Sequence, residues 1–498
     1  MNVHHLPDAL RVRAQMMGDA IAHDDTCRAI TFREWNDEAD AIAGGLAAAG
    51  LETGDRVFLP ISNANAVDMA IAVFAVLRAG GVAVPINVRF SKTEIADYAA
   101  LIEPRFAIHN SLQAVDSLQL ERCWPVTDMP RNLSALPDQA AIALTDIAEI
   151  LATSGTTGKI KGVVVTHADL LGTVTGTEIG NSRATLHALP FTGSGGNLGT
   201  LMLPIKTGAT CITQPKFDPA AFMALAQSKR PQTVYLVPSM LRLIIDLPNI
   251  RDFDFSSVKW LMCGTAPLPQ DSVLRALELW PHIRMRNSYG MSEGSFGIVT
   301  RSNAAALKPG CVGYADPKLV EIRDENGAAL PRGVTGEVYG YTKHSRRYWR
   351  DEDATKQSFK DSWTKTGDLG YIDEDGDLVL CGRSKELIIR GGYNITPIEI
   401  ETVLHDHPKV KDAAVVGVTH DILGEDVAAA VVLRHGQSAT IDELLQWCRN
   451  RLADNKVPRT MIILSELPLN PSGKVLKREL QPVLQAASDE ARKARAGG

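Results

Sequence analysis

Apolar positions recur with two different periods along this chain, and the change of period divides it. Trp35, Ala39, Ile42, Leu46 and Ala49 repeat at helical spacing behind Thr31-Phe32-Arg33-Glu34, whose Thr and Glu form a capping box. A helix is therefore expected there, ended by Gly50 and Gly54. A short strand over 56–60, a helix over 63–79 and a buried strand over 82–86 should follow. Strand, helix and strand in that order form the unit of a parallel sheet. The alternation resumes with strands over 233–237 and 258–262 and a helix over 239–245 between them. From about residue 334 the texture changes. Residues 336–341 and 378–381 read as antiparallel strands, with Asp375-Gly376 as a turn. A compact α+β segment begins after Arg383, with strands over 413–418 and 428–433 and a helix over 441–452. The small, charged stretch 486–498 reads as a fraying helix.

Length and composition narrow the class. A chain of 498 residues exceeds one ordinary core, so two or more domains are expected. Hydrophobic residues at 45% and charged residues at 22% are the balance of a soluble globular protein. A net charge of −6 argues against general attraction to nucleic acid or anionic lipid. The seven cysteines show no CxxC pair and no zinc spacing, and their odd number fits a reducing cytosol better than a full disulfide framework. Met1-Asn2-Val3-His4-His5 lacks the features of a signal peptide, and the most apolar run, 69–77, is far shorter than the ~20 residues of a membrane span. A cytoplasmic protein without integral membrane association is expected.

The most informative stretch is Thr153-Ser154-Gly155-Thr156-Thr157-Gly158-Lys159-Ile160-Lys161-Gly162. Glycines let backbone approach an anion, and N–H, hydroxyl and ammonium groups then bind phosphate oxygens. A P-loop would need Gly at 153 and Ser or Thr at 160, where Thr153 and Ile160 stand, so that motif fails. The alternative is a plain surface loop. Four hydroxyls, three glycines and two lysines between apolar strands (150–152 and 163–165) favour the anion-binding reading.

This stretch resembles the most specific motif of the adenylate-forming superfamily, which includes acyl-CoA synthetases, peptide-synthetase adenylation domains and luciferases. The resemblance continues in the family's order. Gly264-Thr265-Ala266-Pro267-Leu268 is similar to its Gly-Gly-Ala-Pro-Leu turn, with Thr265 for the second glycine. Tyr289-Gly290-Met291-Ser292-Glu293 is similar to Tyr-Gly-x-Thr-Glu. The resemblance implies that Tyr289 packs on adenine, Ser292 touches the α-phosphate and Glu293 binds Mg²⁺, with Asn287 and Gly290 in the nucleotide site. Taken alone, Glu293 would read as a solvated carboxylate.

Thr366-Gly367-Asp368 and Gly382-Arg383-Ser384-Lys385-Glu386 resemble the ribose-binding and hinge segments. They imply ribose contacts for Asp368 and Arg383 and a pivot at Lys385. Arg390-Gly391-Gly392-Tyr393 resembles the loop lining the thiol tunnel, which places Gly391 and Gly392 against the thiol substrate. Pro468-Leu469-Asn470-Pro471-Ser472-Gly473-Lys474 is similar to the terminal motif, which makes Lys474 the adenylation lysine. The fold implied is α/β. A large multi-subdomain N-terminal domain over 1–383, with parallel-type sheets and a small antiparallel barrel, precedes a small mobile α+β C-terminal domain over 384–498.

The expected chemistry is attack of a carboxylate on the α-phosphorus of ATP with release of pyrophosphate, then transfer of the acyl group to coenzyme A. No general base is required, because the carboxylate is already ionised. The task is to bring anions together and neutralise them, through Lys474, Mg²⁺ and residues 153–159. Phe191, Thr192, Gly195 and Gly196 occupy the family's acyl-pocket segment. Thr192 stands where amino acid-activating members carry Asp, so an amino acid is not expected. The small residues after it suggest room for an apolar, bulky acid (aromatic, polycyclic or branched), unless Met262 or Met291 fills the space. Arg346-Arg347 reads as a solvated basic pair, the alternative being contact with a phosphate of coenzyme A. Rival readings are an enzyme loading an acyl carrier protein, a luciferase-like oxidation, and a catalytically silent nucleotide-binding scaffold.

Overall fold

In the helix Ala66–Arg78, every residue but Asp68 is buried. A helix apolar all round belongs inside a core. This one packs against the strand Ile21–Asp24 of one sheet and the strands Arg56–Leu59 and Val82–Pro85 of another. The computed structural model describes residues 5–154, 160–175, 183–342, 346–469 and 475–496. They form two compact units. The first comprises Met1–Thr265, Arg275–Asn303 and Gly340–Thr364; the second comprises Ala266–Leu274, Ala304–Tyr339 and Lys365–Gly498.

The first unit holds two largely parallel sheets. One runs in the order Gly294–Val299, Arg284–Met291, Trp260–Gly264, Thr233–Leu236, Ala184–His187, Thr210–Thr213, Ile21–Asp24, Ala29–Thr31, with antiparallel pairs at its two ends. The other runs Arg347–Tyr348, Ile160–Thr166, Ile147–Ser154, Val82–Pro85, Arg56–Leu59, Phe106–His109, Arg122–Pro125. Its parallel part ends in an antiparallel hairpin and a short edge strand. The helix Phe32–Ala48 carries the expected capping box and lays Trp35, Ala39, Ile42 and Leu46 into the same core, where Trp35 Nε1 donates to Ala70 O at 3.0 Å.

Several expected boundaries moved. The helix anticipated over 63–79 begins as a 3₁₀ turn, Asn63–Asn65, before Ala66. The strand anticipated over 258–262 is Trp260–Gly264, because its pairing with Arg284–Met291 continues to Gly264 opposite Ser288.

The second unit contains an antiparallel sheet around Asp377–Arg383, which pairs with Cys311–Tyr314 on one side and Trp363–Ile372 on the other. Its C-terminal sheet is built on the long pair Val410–His420 and Gly424–Leu433. Alternate residues there face opposite ways, as strand geometry demands. Ala413 and Val415 meet Ile400, Leu404 and Leu444, while Ala414, Val416 and Val418 meet Leu480 and Leu484. Both faces are therefore covered by helices. The tail expected to fray belongs to the helix Lys477–Ala496, whose first half is anchored by Leu480 and Leu484.

Candidate active site

The strands Ile147–Ser154 and Ile160–Thr166 pair antiparallel, Thr153 opposite Lys161 and Ser154 opposite Ile160. Residues 155–159 therefore connect two paired strand ends. Gly155, Thr156, Thr157, Gly158 and Lys159 lie outside the described residues, as do Lys474 and the side chain of Ser154.

A second hairpin presents the next candidates. The register between Arg284–Met291 and Gly294–Val299 shifts between the Tyr289–Ile298 and Met291–Gly294 pairs, a bulge in the second strand, whose residues 295–297 stand opposite Gly290 alone. Bulges re-aim side chains beside functional sites. Ser292 and Glu293 are the two residues between these strands, and Asn287 is buried four residues before the first strand ends. Glu293 is only 8% exposed, and Tyr348 Oη donates to its Oε1 at 2.9 Å. It is not a solvated surface carboxylate. Burial, reinforced by the Glu293 charge, pushes the Tyr348 phenol up, so Tyr348 remains a donor at neutral pH. An oxygen ligand held this way suits a hard cation such as Mg²⁺.

The expectation of a solvated Arg346-Arg347 pair is corrected for Arg346, which is 4% exposed and donates through Nη1 to Ser292 O. Arg347 is exposed and Tyr348 buried; these two pair with Val164 and Val163 at the sheet edge. Strand alternation turns the neighbours of Arg347 inward. Arg346 Nε lies 3.9 Å from Asp169 Oδ1. Asp169 is itself held by Thr166 N at 2.9 Å and Thr166 Oγ1 at 2.8 Å. Glu149, fully buried, accepts from Asn197 Nδ2 at 3.1 Å. Burial raises its carboxyl to about 7, against the Asn197 hydrogen bond and the Arg346 charge. Motif matching did not single out Glu149, Asn197, Asp169 or Tyr348. The available signal was an ionisable residue inside an apolar strand, since an unpaired buried carboxylate is costly.

The acyl-pocket segment divides in two. Phe191 is 2% exposed and packs in the core, its ring 5.3 Å from that of His187. Thr192 is also buried. A Cβ on Gly196 would stand 1.9 Å from Pro190 O, so backbone approach alone explains that glycine. A Cβ on Gly195 would meet Thr265 Cγ2 at 3.1 Å and Tyr235 Oη at 3.8 Å, which brings the pocket segment beside the turn at 264–265. Gly264 is required because a Cβ would fall 2.4 Å from Ser288 Oγ. Thr265, where the family pattern has its second glycine, sits at φ +71°, a left-handed conformation that strains a β-branched residue. Met262 and Met291 are half-buried.

In the second unit, Arg383 Nε donates to Asp368 Oδ1 at 2.9 Å, so the two residues expected at the ribose are bonded to each other. Ser384 Oγ donates to Gly367 O at 3.2 Å. Lys385 is exposed in the 3₁₀ turn Ser384–Glu386, and Ala266 is half-buried. Gly391 and Gly392, at φ +56° and +85°, form the two-residue turn between the paired Arg390 and Tyr393. Among the described residues, Asp373, Asp375 and Asp377 are the carboxylate group close enough to hold a metal ion. Lys308 Nζ already lies 2.7, 2.6 and 3.3 Å from them. Among the described residues, no helix is long and apolar enough to cross a membrane.

Comparison with known proteins shows the family. The model of the AMP-binding enzyme family matches residues 10–347, and that of the AMP-binding enzyme C-terminal domain matches 399–474. A feruloyl-CoA synthase from Amycolatopsis is 33% identical over 95% of this chain and 97% of its own length. A 2-succinylbenzoate–CoA ligase from Bacillus cytotoxicus is 30% identical over 96% of this chain and 99% of its own. The crystal structure of a benzoate CoA ligase from Burkholderia xenovorans superposes with a TM-score of 0.85 at 25% identity, covering 96% of this chain and all of that one. The chain belongs to the family of AMP-binding enzymes, within the adenylate-forming superfamily of acyl-CoA synthetases.

Proposed function

We propose that the protein activates an apolar, bulky carboxylic acid with ATP, and that the acid is aromatic. The product is an acyl adenylate, whose acyl group then passes to coenzyme A. The observation that carries this reading is the buried Glu293 carboxylate on a hairpin turn, held by Tyr348 and flanked by Ser292, in the position the nucleotide motif assigns to it. Aromatic acids are favoured because the feruloyl, 2-succinylbenzoate and benzoate enzymes align along almost the whole chain.

In this reading Ser292 contacts the α-phosphate, Tyr289 stacks on adenine, Asn287, Gly290, Gly264, Thr265 and Ala266 border the base, and residues 153–159 hold the leaving phosphates. Glu293 would hold magnesium, which offsets phosphate charge when bound. Asp368 and Arg383 bind the ribose hydroxyls. Lys474 offsets charge at the α-phosphorus as the carboxylate attacks. The C-terminal domain, taken as 384–498, then turns about Lys385, which withdraws Lys474 and brings Gly391 and Gly392 to the thiol. Cytoplasmic placement accords with a need for ATP and coenzyme A and with seven free thiols.

A panel of benzoate, ferulate, 2-succinylbenzoate, acetate and glycine tests the reading, with pyrophosphate release and product mass as readouts. An aromatic acid should give ATP- and coenzyme A-dependent thioester. Preference for acetate or glycine refutes the pocket assignment. Thioester formed only on a carrier protein's phosphopantetheine refutes coenzyme A as acceptor. Lys474→Ala should abolish adenylate formation yet leave thioester formation from premade acyl adenylate largely intact; equal loss of both steps refutes its role.

A further inference from the structure

The turn Ser292-Glu293 is gripped from two sides. Tyr348 holds the Glu293 carboxylate, and Arg346 holds the carbonyl of Ser292. Arg346 is 4% exposed and Glu149 is 0% exposed, and the charges of Glu149 and Asp169 act on Arg346, so a buried ionic seam reaches the turn through Arg346. Asp169 stands 3.9 Å from Arg346 Nε on one side, and Asn197 bonds Glu149 at 3.1 Å on the other. The seam is poorly satisfied. Among the described residues, Arg346 Nε, Glu149 Oε2 and Asn197 Oδ1 find no hydrogen-bond partner, although all three are buried. Apolar residues of similar volume often replace a buried ion pair without loss of stability. A seam kept with unmet valences is therefore poorly explained by stability alone.

We infer that Arg346 is a positioning residue for adenylation: its guanidinium, backed by Glu149 and Asp169, pins the Ser292 carbonyl and so fixes the direction in which Glu293 presents its carboxylate to the magnesium–nucleotide. This rests on the reading of Glu293 as the magnesium carboxylate. In this reading the partners of Arg346 are Ser292 O and Asp169, not substrate or metal. The guanidinium acts through the backbone of the turn, and a planar fork that both reaches a carbonyl and faces two carboxylates is not replaced by a lysine.

The test is the affinity of the full-length protein for MgATP, measured by calorimetry, against its affinity for ATP in EDTA. No acid is needed, so the outcome does not depend on identifying one. Arg346→Lys should weaken MgATP binding about tenfold and leave binding of metal-free ATP within about twofold. Arg346→Met paired with Glu149→Leu removes the guanidinium and one of its two carboxylates, leaves Asp169 held by Thr166, and should still fold while binding MgATP weakly. A double variant that keeps wild-type MgATP affinity makes the seam purely structural and overturns the inference. Glu293→Gln separates the two levels. If it loses the magnesium-dependent part of the affinity while Arg346→Lys does not, the inference fails alone. If Glu293→Gln behaves as wild type, the assignment of Glu293 fails and the inference with it.

Discussion

Lys308 and Arg346 are each a cation among carboxylates, in different units of the molecule, and they differ in what is left over. Lys308 has three acceptors within hydrogen-bond reach, on Asp373, Asp375 and Asp377, and sits partly in water. Those bonds, Asp373 first, hold its ammonium well above the usual lysine range. Arg346 is buried, and that burial lowers its guanidinium below the ordinary value despite Asp169, Glu293 and Glu149. The first knot is closed and partly solvated, so it stabilises a turn. The second is desolvated, incompletely bonded and attached to the Ser292-Glu293 hairpin. The difference teaches that charge clustering does not by itself mark a site. What marks it is charge held at a cost beside the groups that must act.

The contrast can be broken first at Glu293. Glu293→Gln should lower acid-dependent pyrophosphate release by about a thousandfold, because one electrostatic group aimed at the reacting phosphates typically contributes that much. Lys308→Met should leave the rate unchanged; an equal loss in both would erase the distinction.

Next comes the pH dependence of stability. Glu149 titrates near 7 in the fold against an ordinary 4.5. Between those values the native state keeps a proton that the unfolded chain has released. Stability therefore falls as pH rises from about 4.5 to about 7 and levels off above it. The span corresponds to about 3 kcal/mol by linkage. Glu149→Gln should flatten that part of the profile in denaturant titrations; an unchanged slope would mean that Glu149 is ionised throughout.

A smaller effect is expected at the closed knot. Lys308→Met should cost about 1 kcal/mol of unfolding free energy, and the cost should shrink in high salt because the group is partly solvated. A salt-independent loss would put it in the same class as Arg346. The smallest effect belongs to Thr265. Thr265→Gly should relieve the φ of +71° and stabilise the protein by about 1 kcal/mol or less, part of the gain being offset by glycine's greater freedom when unfolded. A destabilised variant would show that packing of Thr265 against the Gly195 region outweighs its backbone strain.

Much of the fold could be read from residue periodicity. The capping box at Thr31 and Glu34, the strand Gly336–Tyr341 and the helix following Val237 stand where pattern places them, because each is decided by local spacing and end signals. Strand ends proved harder. Trp260–Gly264 extends past its apolar run because a neighbouring strand continues to pair with it. Of the candidate site, the motif residues were legible as chemistry before any geometry was known, through glycines, hydroxyls and acidic residues in fixed order. Arg346 was not, since an arginine beside another arginine reads as surface until strand pairing shows which of the two faces inward.

The sequence by itself determined the reaction class, the family and the helical and strand periods, because these depend on residue types at short, fixed spacings. Tertiary structure alone decided that Arg346 grips the Ser292-Glu293 turn with Asp169 beside it, that Asn197 bonds Glu149, and that Gly196 is small for backbone clearance. Burial, and with it the strength of every charge in that seam, depends on which distant strands and helices exclude water, and no local window of sequence contains that information.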